Sequence, residues 1–464
     1  MALPENSPFP EQIPASAIGL PTRGAVIDDA QQKRRRWGTY WRVDGRILPV
    51  DSAAEPISFR AQVPVDAWNG RILHVGGGGF NGTIPTVGRG GIGAEMWGGV
   101  PTPIEQGYLV VASDSGHRVP LGCAGDWSQP ATVAFATNDE MLANFAHEHI
   151  KKVHDVALAM ALAALGAAPV HSYYCGTSNG GREALRAAQL YPDDFDGIVV
   201  GYPAIYWIPM ALAGARCASV ERELGVEGWI SADLWRQVEG AIISELDELD
   251  GVRDGLISNI PAARMHGSAT KARVASLLTS KQMSLVERFM QPYDLRPIAY
   301  PYADSFPGYA VLEGEPLRDD DNTFVLNAIS RTPGACDGQQ ELFAQRVISG
   351  MVMRDPSFES ADFDVVAHRD AVLRASALLD AGSTDLDSFR RRGGKAILYH
   401  GTYDQLIPPA ATEQWFAALQ QRYGREETNS FARFSLVPGM GHGLGRVDVR
   451  RNLLGELDAW VSNQ

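Results

Sequence analysis

Short runs of β-branched and aromatic residues recur along the chain and alternate with longer stretches rich in helix-forming residues. The predicted strands are residues 71–75, 108–113, 170–175, 197–201, 395–400 and 431–437. The stretch from Leu142 to Leu165 predicts a helix that ends at Gly166, a residue suited to a left-handed cap. Strands that alternate with helices form a mostly parallel sheet covered by helices, so we predict an α/β fold.

The sequence Gly176-x-Ser178-x-Gly180 lies between a predicted strand and a run of helix formers. This context is the one in which a nucleophile elbow forms, where the serine occupies a strained strand-to-helix turn and the glycines let the backbone fold back sharply. On its own the motif is weak in a glycine-rich chain. The flanking strand and helix favour Ser178 as a nucleophile.

An acid and a histidine follow the serine in the order that an α/β-hydrolase requires. Asp404 comes just after the strand at 395–400, and His442 lies in a glycine-rich loop after the strand at 431–437. An imidazole can take the serine proton, and a carboxylate can fix the imidazole tautomer. Taken singly, Asp404 could be a helix cap and His442 a surface residue, but their joint order favours a Ser178–His442–Asp404 triad.

A glycine-rich loop, Gly76 to Gly82, follows the predicted strand at 71–75. Backbone N–H groups of Gly78 and Gly79, together with that of Asn179, could bind the oxyanion of a tetrahedral intermediate. The alternative is a phosphate-binding loop. That alternative is less favoured because no Gly-Lys-Ser/Thr follows and no helix-forming run opens after Gly82.

Ordered sequence blocks along nearly the whole chain resemble the tannase and feruloyl esterase family of α/β-hydrolases, which also includes enzymes that cleave mono-esters of terephthalate. The blocks are Ile18-Gly-Leu-Pro-Thr22, Gly76 to Gly82, Ser113-Asp-Ser-Gly-His117, Gly180-Gly-Arg-Glu-Ala, Tyr191-Pro-Asp-Asp-Phe-Asp-Gly-Ile198, Asp247-x-x-Asp-Gly-Val-x-Asp-Gly255, Gly393-Gly-Lys395, His400-Gly-x-x-Asp404 and Pro438-Gly-Met-Gly-His442. The resemblance implies the same triad, with an oxyanion hole formed by the glycine loop and Asn179.

One departure from the family pattern concerns the two catalytic loops. Members of the family usually carry a cysteine just before the serine and another just after the histidine, joined by a disulfide. Here these positions hold Thr177 and Gly443, so that link cannot form. The triad must then be held by packing and hydrogen bonds.

The resemblance also implies a structural calcium site in the acidic run from Asp247 to Leu256. Its ligands would be the carboxylates of Asp247, Asp250 and Asp254 and the carbonyl oxygens of Val252 and Leu256, all of which are hard oxygen donors. Without the resemblance, a solvated acidic loop is the favoured interpretation. The resemblance implies no organic cofactor.

The pattern of strands and helices changes between residues 203 and 392, where helices and irregular segments carry many aromatic residues. We therefore predict an α/β-hydrolase domain formed by residues 1–202 and 393–464, with a large lid domain, 203–392, inserted between them. Most of the insert's aromatic residues should form its own core, while some could line a pocket for an aromatic ring: Trp207, Trp229, Trp235, Phe289, Tyr293, Tyr300, Tyr302, Phe306, Tyr309 and Phe324.

Composition excludes several other classes. The chain has 464 residues and a net charge of −14, and its longest basic run is Lys33 to Arg36, which argues against a nucleic acid partner. No apolar stretch reaches the roughly 18 residues of a membrane span. The chain has four cysteines, no Cys-x-x-Cys and no visible signal peptide. These features lead us to expect a cytoplasmic protein, or a secreted or periplasmic one if a signal has been removed.

The sequence thus predicts a serine ester hydrolase that acts on small esters of aromatic acids, such as hydroxycinnamates or gallates, through an acyl-enzyme. A hydrolase of another small ester, a lactone or an amide is the alternative within enzymes. A calcium-stabilised binding protein that keeps the hydrolase fold without turnover is the alternative from another class. The sequence does not determine the oligomeric state.

Overall fold

The computed structural model describes residues 3–88, 93–98, 101–120, 122–123, 125–318, 327–335, 337–443 and 451–463. The strands are β1 Gln12–Ile13, β2 Ala25–Arg35, β3 Gly38–Ile47, β4 Ile57–Pro64, β5 Arg71–Val75, β6 Leu109–Ser113, β7 His171–Thr177, β8 Gly197–Gly201, β9 Tyr293–Asp294, β10 Ser305–Phe306, β11 Lys395–Gly401 and β12 Ala432–Val437. All six strands predicted from the sequence are present.

The α-helices lie mainly between the parallel strands and in the insert. They are α1 Asp139–Ala143, α2 His149–Leu165, α3 Asn179–Leu190, α4 Trp207–Gly228, α5 Ala232–Leu246, α6 Ile260–Met265, α7 Gly267–Ala275, α8 Ser280–Met290, α9 Gln339–Arg346, α10 Arg369–Leu379, α11 Asp387–Arg391, α12 Pro409–Tyr423, α13 Arg425–Phe431 and α14 Leu453–Ser462. None in the described part of the chain combines the length and apolar character needed to cross a membrane.

Ten strands form one mixed sheet in the order β1-β2-β3-β4-β6-β5-β7-β8-β11-β12. The strands from β6 to β12 in this order pair in parallel, whereas β1 to β4 and the β4–β6 pair are antiparallel. The parallel part agrees with the prediction. The four antiparallel strands at the amino-terminal side were not predicted.

The parallel strands are buried on both faces, which explains their continuous apolar sequences. In β7, Tyr174 faces the core that contains α3, while Tyr173 and Cys175 face the core that contains α14. A third core, between α2 and strands β1 to β4, is formed by residues such as Val153 and Phe59. The sheet is therefore covered by helices on both sides.

The predicted helix from Leu142 to Leu165 is interrupted by one irregular turn. A π-helical segment, Asn144–Glu148, separates α1 from α2, and α2 ends at Gly166 with a left-handed φ of 70°. The predicted cap is therefore present, but the helix does not run straight through. Such π segments commonly occur near functional sites.

The segment predicted as an insert runs between β8 and β11, which are neighbours in the sheet. Part of it has a core of its own, which includes Trp235, Phe289 and Tyr309. Trp207, Tyr300 and Phe306 instead join the core beside α3, and Phe324 lies outside the described residues. Tyr293 and Tyr302 pack against that same core. The expectation that most of these aromatic residues form the insert's own core is therefore wrong, because the larger share packs onto the sheet domain.

Candidate active site

Ser178 sits at the sharp turn between β7 and α3. Its backbone is held at φ 58° and ψ −121°, a region that a residue with a side chain rarely adopts. The two flanking positions require glycine because neighbouring backbone atoms leave no space for a Cβ atom. A Cβ atom on Gly176 would lie 2.1 Å from the carbonyl oxygen of Gly180, and one on Gly180 would lie 2.6 Å from that of Gly77. The local sequence therefore forms the elbow predicted from it.

The structure brings Ser178, His442 and Asp404 together, although they are far apart in the sequence. His442 Nε2 lies 2.9 Å from Ser178 Oγ, and His442 Nδ1 lies 2.9 Å and 3.1 Å from the two carboxylate oxygens of Asp404. Because a carboxylate only accepts, Nδ1 carries the hydrogen and Nε2 is left to accept the serine O–H. All three side chains stand at the carboxyl ends of parallel strands.

Asp404 is fully buried, and its two oxygens are fixed by different donors. The backbone N–H groups of Leu406 and Ile407 donate to Oδ1 at 3.0 Å and 2.9 Å, while His400 Nε2 lies 3.1 Å from Oδ2. Burial alone would raise the pKa of Asp404, but the attraction of His442 and the hydrogen bonds from His400 and His442 hold it well below the ordinary value. The carboxylate is therefore ionised at neutral pH.

His400 is a residue to which the sequence analysis assigned no role. Its Nε2 faces two acceptors, Asp404 Oδ2 and the carbonyl oxygen of Ile407 at 3.0 Å, so this nitrogen carries a hydrogen. Its Nδ1 lies 2.8 Å from Thr412 Oγ1. His400 thus helps to fix the rotamer of Asp404 through Oδ2, the oxygen that also lies 2.9 Å from His442 Nδ1. Its place at the end of a predicted strand, four residues before Asp404, was the signal available in the sequence.

Tyr202 is a second residue that the sequence analysis missed. It follows β8 with a left-handed φ of 30°, and its ring packs against that of His442 with centroids 4.8 Å apart. Its hydroxyl donates to Glu95 Oε1 at 2.7 Å, where the hydroxyl of Tyr399 also donates at 3.1 Å. Burial, and then the charge of Glu95, raise the pKa of Tyr202 well above its usual value, so it remains a donor.

The Tyr202 hydroxyl also occupies the space beside Gly443. A Cβ atom on Gly443 would lie 2.6 Å from that oxygen, and Gly443 has a left-handed φ of 74°. Cys123, Cys175 and Cys217 are free, and Cys336 lies outside the described residues. The Tyr202 hydroxyl, which also has a hydrogen bond with Thr177, therefore lies between the two positions at which members of the family usually carry the bridged cysteines.

The predicted oxyanion donors lie on the two loops that flank Ser178. Gly78 and Gly79 belong to the loop after β5, and Asn179 is the first residue of α3. Within the described residues, no acceptor bonds the backbone N–H of Gly78, Gly79 or Asn179. These three groups remain available to bind an oxyanion, but their role stays a prediction.

The acidic loop predicted to bind calcium follows α5. Asp247 is buried, and its Oδ1 accepts the N–H groups of Asp254 at 3.3 Å and Gly255 at 3.0 Å. Asp250 and Asp254 each accept the N–H two residues further on, from Val252 and Leu256 at 2.9 Å and 3.0 Å. The five predicted ligands therefore share one loop with left-handed glycines at positions 251 and 255.

The three carboxylates of this loop do not converge on one point in the described structure. Among the described residues, the side chains close enough together to share a metal ion are those of His154, Asp155 and Asp194. The two carboxylates of that other group are already paired with a lysine ammonium, because Lys151 Nζ lies 2.8 Å from Asp155 and 3.0 Å from Asp194. The donor chemistry of the acidic loop suits calcium, but its side chains would have to rotate to enclose the ion.

Comparisons with known proteins agree with this architecture. A sequence model of the family described as "Tannase and feruloyl esterase" matches residues 41–464. An esterase of Agrobacterium fabrum, described as uncharacterized, is 33% identical over 475 residues, which cover 97% of this chain and 82% of the relative. The probable feruloyl esterase B-1 of Aspergillus flavus is 26% identical over 395 residues, which cover 82% of this chain and 67% of the relative.

Solved structures show the same fold. Feruloyl esterase B from Aspergillus oryzae superposes with a TM-score of 0.71 at 23% identity, covering 92% of this chain and 81% of its own. Tannin acyl hydrolase from Aspergillus niger superposes with a TM-score of 0.70 at 17% identity, covering 98% and 88%. The prediction of an α/β-hydrolase fold is confirmed. The chain belongs to the tannase and feruloyl esterase family and is a carboxylic ester hydrolase.

Proposed function

We propose that this esterase cleaves esters of aromatic carboxylic acids through an acyl-enzyme formed on Ser178. The observation that carries the proposal is the continuous hydrogen-bonded chain from Ser178 Oγ through His442 to the buried Asp404. Membership of an esterase family leaves little support for the alternative of a non-catalytic binding protein.

The first half of the reaction forms the acyl-enzyme. Ser178 Oγ attacks the ester carbonyl carbon while His442 Nε2 takes the hydroxyl proton, and Asp404 stabilises the resulting imidazolium. The carbonyl oxygen becomes an oxyanion, which the N–H groups of Gly78, Gly79 and Asn179 would bind. Each such donor is worth about 2.7 to 4 kcal/mol of barrier in comparable sites. His442 then gives its proton to the departing alcohol oxygen as the C–O bond breaks.

The second half of the reaction repeats these steps with water. His442 Nε2 takes a proton from water as its oxygen attacks the acyl carbon, and the same N–H groups bind the second oxyanion. The bond to Ser178 Oγ then breaks, the serine recovers its proton from His442, and the carboxylic acid leaves. Asp404 remains ionised throughout, because its hydrogen bonds and the nearby charge hold its pKa low.

An aromatic acyl group is supported by the wall next to the glycine loop. A Cβ atom on Gly79 would lie 3.7 Å from the indole nitrogen of Trp127, so this ring adjoins the predicted oxyanion donors. Trp127 stacks on Phe80 with centroids 5.3 Å apart, and Phe343 of the insert packs against it at 5.4 Å. Two relatives are named for feruloyl and tannin esters, which also favours aromatic acids.

The acyl preference can be tested with methyl esters that differ in the acid alone. We expect kcat/KM for hydroxycinnamoyl or galloyl esters to exceed that for butyryl ester by at least about tenfold, because aromatic rings beside the predicted oxyanion donors would favour a flat acyl group. Trp127→Ala should reduce this preference, whereas Trp37→Ala, at an exposed hairpin, should not. Equal or better turnover of butyryl ester, or of matched lactones and amides, would refute the aromatic assignment.

We also propose that calcium binds the loop from Asp247 to Leu256 as a structural ion. Three carboxylates and two carbonyl oxygens form a donor set that a hard cation prefers. The buried Asp247 already anchors the loop through two backbone N–H groups. The ion would stabilise the insert and would take no part in the ester chemistry.

A further inference from the structure

Glu183 lies one turn into α3 from Ser178, and its side chain is fully buried. Its two oxygens accept hydrogen bonds from four groups. The N–H of Gly77 and the hydroxyl of Tyr174 donate to Oε2 at 3.1 Å and 2.8 Å, and the side-chain amides of Asn81 and Asn179 donate to Oε1 at 2.6 Å and 3.1 Å. Buried polar groups are nearly always hydrogen-bonded, and here one carboxylate satisfies four donors.

These donors come from both sides of the predicted oxyanion hole. Gly77 and Asn81 stand on either side of Gly78 and Gly79 in the loop after β5, and Asn179 carries the third N–H at the start of α3. The amide of Asn179 also bonds Asn81 Oδ1 at 3.1 Å. One carboxylate is therefore bonded to every segment that contributes a predicted oxyanion donor.

The glycine loop and the elbow are in direct contact around this carboxylate. A Cβ atom on Gly76 would lie 2.8 Å from Glu183 Oε2 and 2.8 Å from the Cα of Gly180. Arg182, also fully buried, donates to Asn179 Oδ1 at 2.6 Å and fixes the other end of that amide. Hydrogen bonds and close glycine contacts thus set the distance between the glycine loop and the Ser178 elbow, and the tight packing leaves little space for either to shift.

The surroundings of Glu183 suit a carboxylate held by hydrogen bonds. Its neighbour His149 has Nε2 3.8 Å from Oε1, and His149 Nδ1 donates to the carbonyl oxygen of Asn144 at 2.7 Å. Burial, and then the charge of Glu183, raise the pKa of Tyr174 well above its usual value, so its hydroxyl remains a donor. Charge-assisted hydrogen bonds of this kind are about twice as strong as neutral ones.

We propose that Glu183 is the positioning residue of the oxyanion hole, holding the N–H groups of Gly78 and Gly79 at a fixed separation from that of Asn179. This inference rests on the proposed acyl-enzyme mechanism and deepens it. Glu183 touches no reacting atom in this mechanism. Its effect on catalysis passes through the two loops that it joins.

Glu183→Gln tests the proposal with almost no change in shape. Glutamine presents an NH₂ group to one of the two donor pairs. Either the N–H of Gly77 loses its acceptor, while the Tyr174 hydroxyl can turn to accept, or the amides of Asn81 and Asn179 lose theirs. We expect kcat to fall by at least about tenfold while KM changes less than about twofold, because the oxyanion exists only in the transition state. An arylboronic acid, which forms a tetrahedral adduct with the serine, should also lose at least about tenfold in affinity.

Asp380→Asn is the matched control. Asp380 is also fully buried and accepts three hydrogen bonds, from the N–H of Ile208 at 2.8 Å and the hydroxyls of Ser376 at 2.6 Å and Tyr300 at 2.9 Å. It has no hydrogen bond to the glycine loop. Both variants lose a buried carboxylate, but at a temperature where both are folded we expect the loss of kcat and of boronate affinity in Glu183→Gln alone.

Asn81→Gly provides a second test if Glu183→Gln does not fold. It removes the 2.6 Å bond to Glu183 at a residue whose φ of 44° glycine adopts readily. The same fall in kcat at constant KM is expected. Unchanged kcat in a folded Asn81→Gly, or equal losses in Glu183→Gln and Asp380→Asn, would overturn the proposal. The role of Ser178 would survive that result, since Ser178→Ala tests it separately.

Discussion

The two loops that meet at Ser178 are held in different ways. On the side of the glycine loop, the buried carboxylate of Glu183 accepts hydrogen bonds from both loops at once. On the side of the histidine loop, His442 is held by Asp404 and by contact with the Tyr202 ring. Thr177 and Gly443 cannot form a covalent link there.

This difference indicates how each side should respond to change. In the proposed mechanism, the glycine-loop side would govern the stabilisation of the oxyanion, because its hydrogen bonds fix the predicted donors. The histidine-loop side would govern proton transfer, because its contacts fix the imidazole. Substitutions on the two sides should therefore remove different interactions from the same transition state, even when the loss of stability is similar.

The largest effect within this comparison is expected for Asp404→Asn. Asparagine would offer an NH₂ group where Nδ1–H of His442 now donates, and this favours the wrong imidazole tautomer. We expect kcat for an aryl ester to fall by about 10⁴-fold, measured under saturating substrate. Asp294→Asn, at an exposed residue paired with Arg296, is the control and should retain full activity. A loss of less than about tenfold for folded Asp404→Asn would contradict the assigned role.

A smaller effect is expected for Gly443→Ala. The new Cβ would lie 2.6 Å from the Tyr202 hydroxyl, at a left-handed φ of 74°, and should displace His442. We expect a fall in kcat of roughly tenfold and a loss of about 1–3 kcal/mol in the free energy of unfolding, as found for overpacking elsewhere. Kinetics and thermal unfolding of the purified variant measure both.

Tyr202→Phe in the Gly443→Ala background sharpens this test, because it removes the oxygen that clashes. The double variant should recover part of the lost activity, which makes the two substitutions non-additive. Tyr399→Phe is the control, since it also loses a hydrogen bond to Glu95 without the close approach to Gly443. Additive losses in the double variant would show that the contact does not position the histidine loop.

Removal of calcium should affect stability and leave the chemistry unchanged, because the acidic loop lies in the insert. A chelator should lower the melting temperature, and added calcium should restore it. At a hundredfold excess over Kd the ion would contribute about 2.7 kcal/mol. Asp254→Asn should weaken the response to calcium. An unchanged melting curve with chelator, together with no bound calcium by metal analysis, would support a solvated loop.

The smallest effect is expected from reducing agents. Cys175 is fully buried in β7, and burial raises the pKa of its thiol, so it is an inert core residue. Activity should be the same with and without dithiothreitol. Rapid loss of activity on reduction, with a mass change that shows a broken bridge at Cys175, would contradict the view that hydrogen bonds and packing alone hold the histidine loop.

The sequence predicted the parallel strands because they are buried on both faces and appear as continuous apolar runs. The antiparallel strands β2 to β4 escaped prediction because charged residues such as Asp29, Arg42 and Arg60 interrupt the apolar pattern on their outer face. Their alternation of inward and outward residues was the available signal. The meeting of Ser178, His442 and Asp404 was predictable because motif, order and strand context agree.

Glu183 and Tyr202 could not be assigned roles from the sequence, since their contacts join parts of the chain that only folding brings together, whereas the spacing of His400 from Asp404 gave a local signal. Glu183 bonds Gly77 across 106 positions, and Tyr202 bonds Glu95 across 107. Neither separation matches the short spacings at which residues of one helix or one strand meet. The position of Tyr202 beside Gly443 also depends on a strained φ of 30°, which the sequence pattern does not predict.

The central claim is that Ser178 is the nucleophile, and covalent labelling tests it most directly. An aryl phosphonate should add one adduct to the wild-type protein, with peptide mapping by mass spectrometry placing it on Ser178 and activity lost in step. Ser178→Ala should take up no label and turn over esters at least about a thousandfold more slowly while keeping its fold. Normal ester turnover by purified Ser178→Ala, or stoichiometric labelling at another residue, would contradict the account.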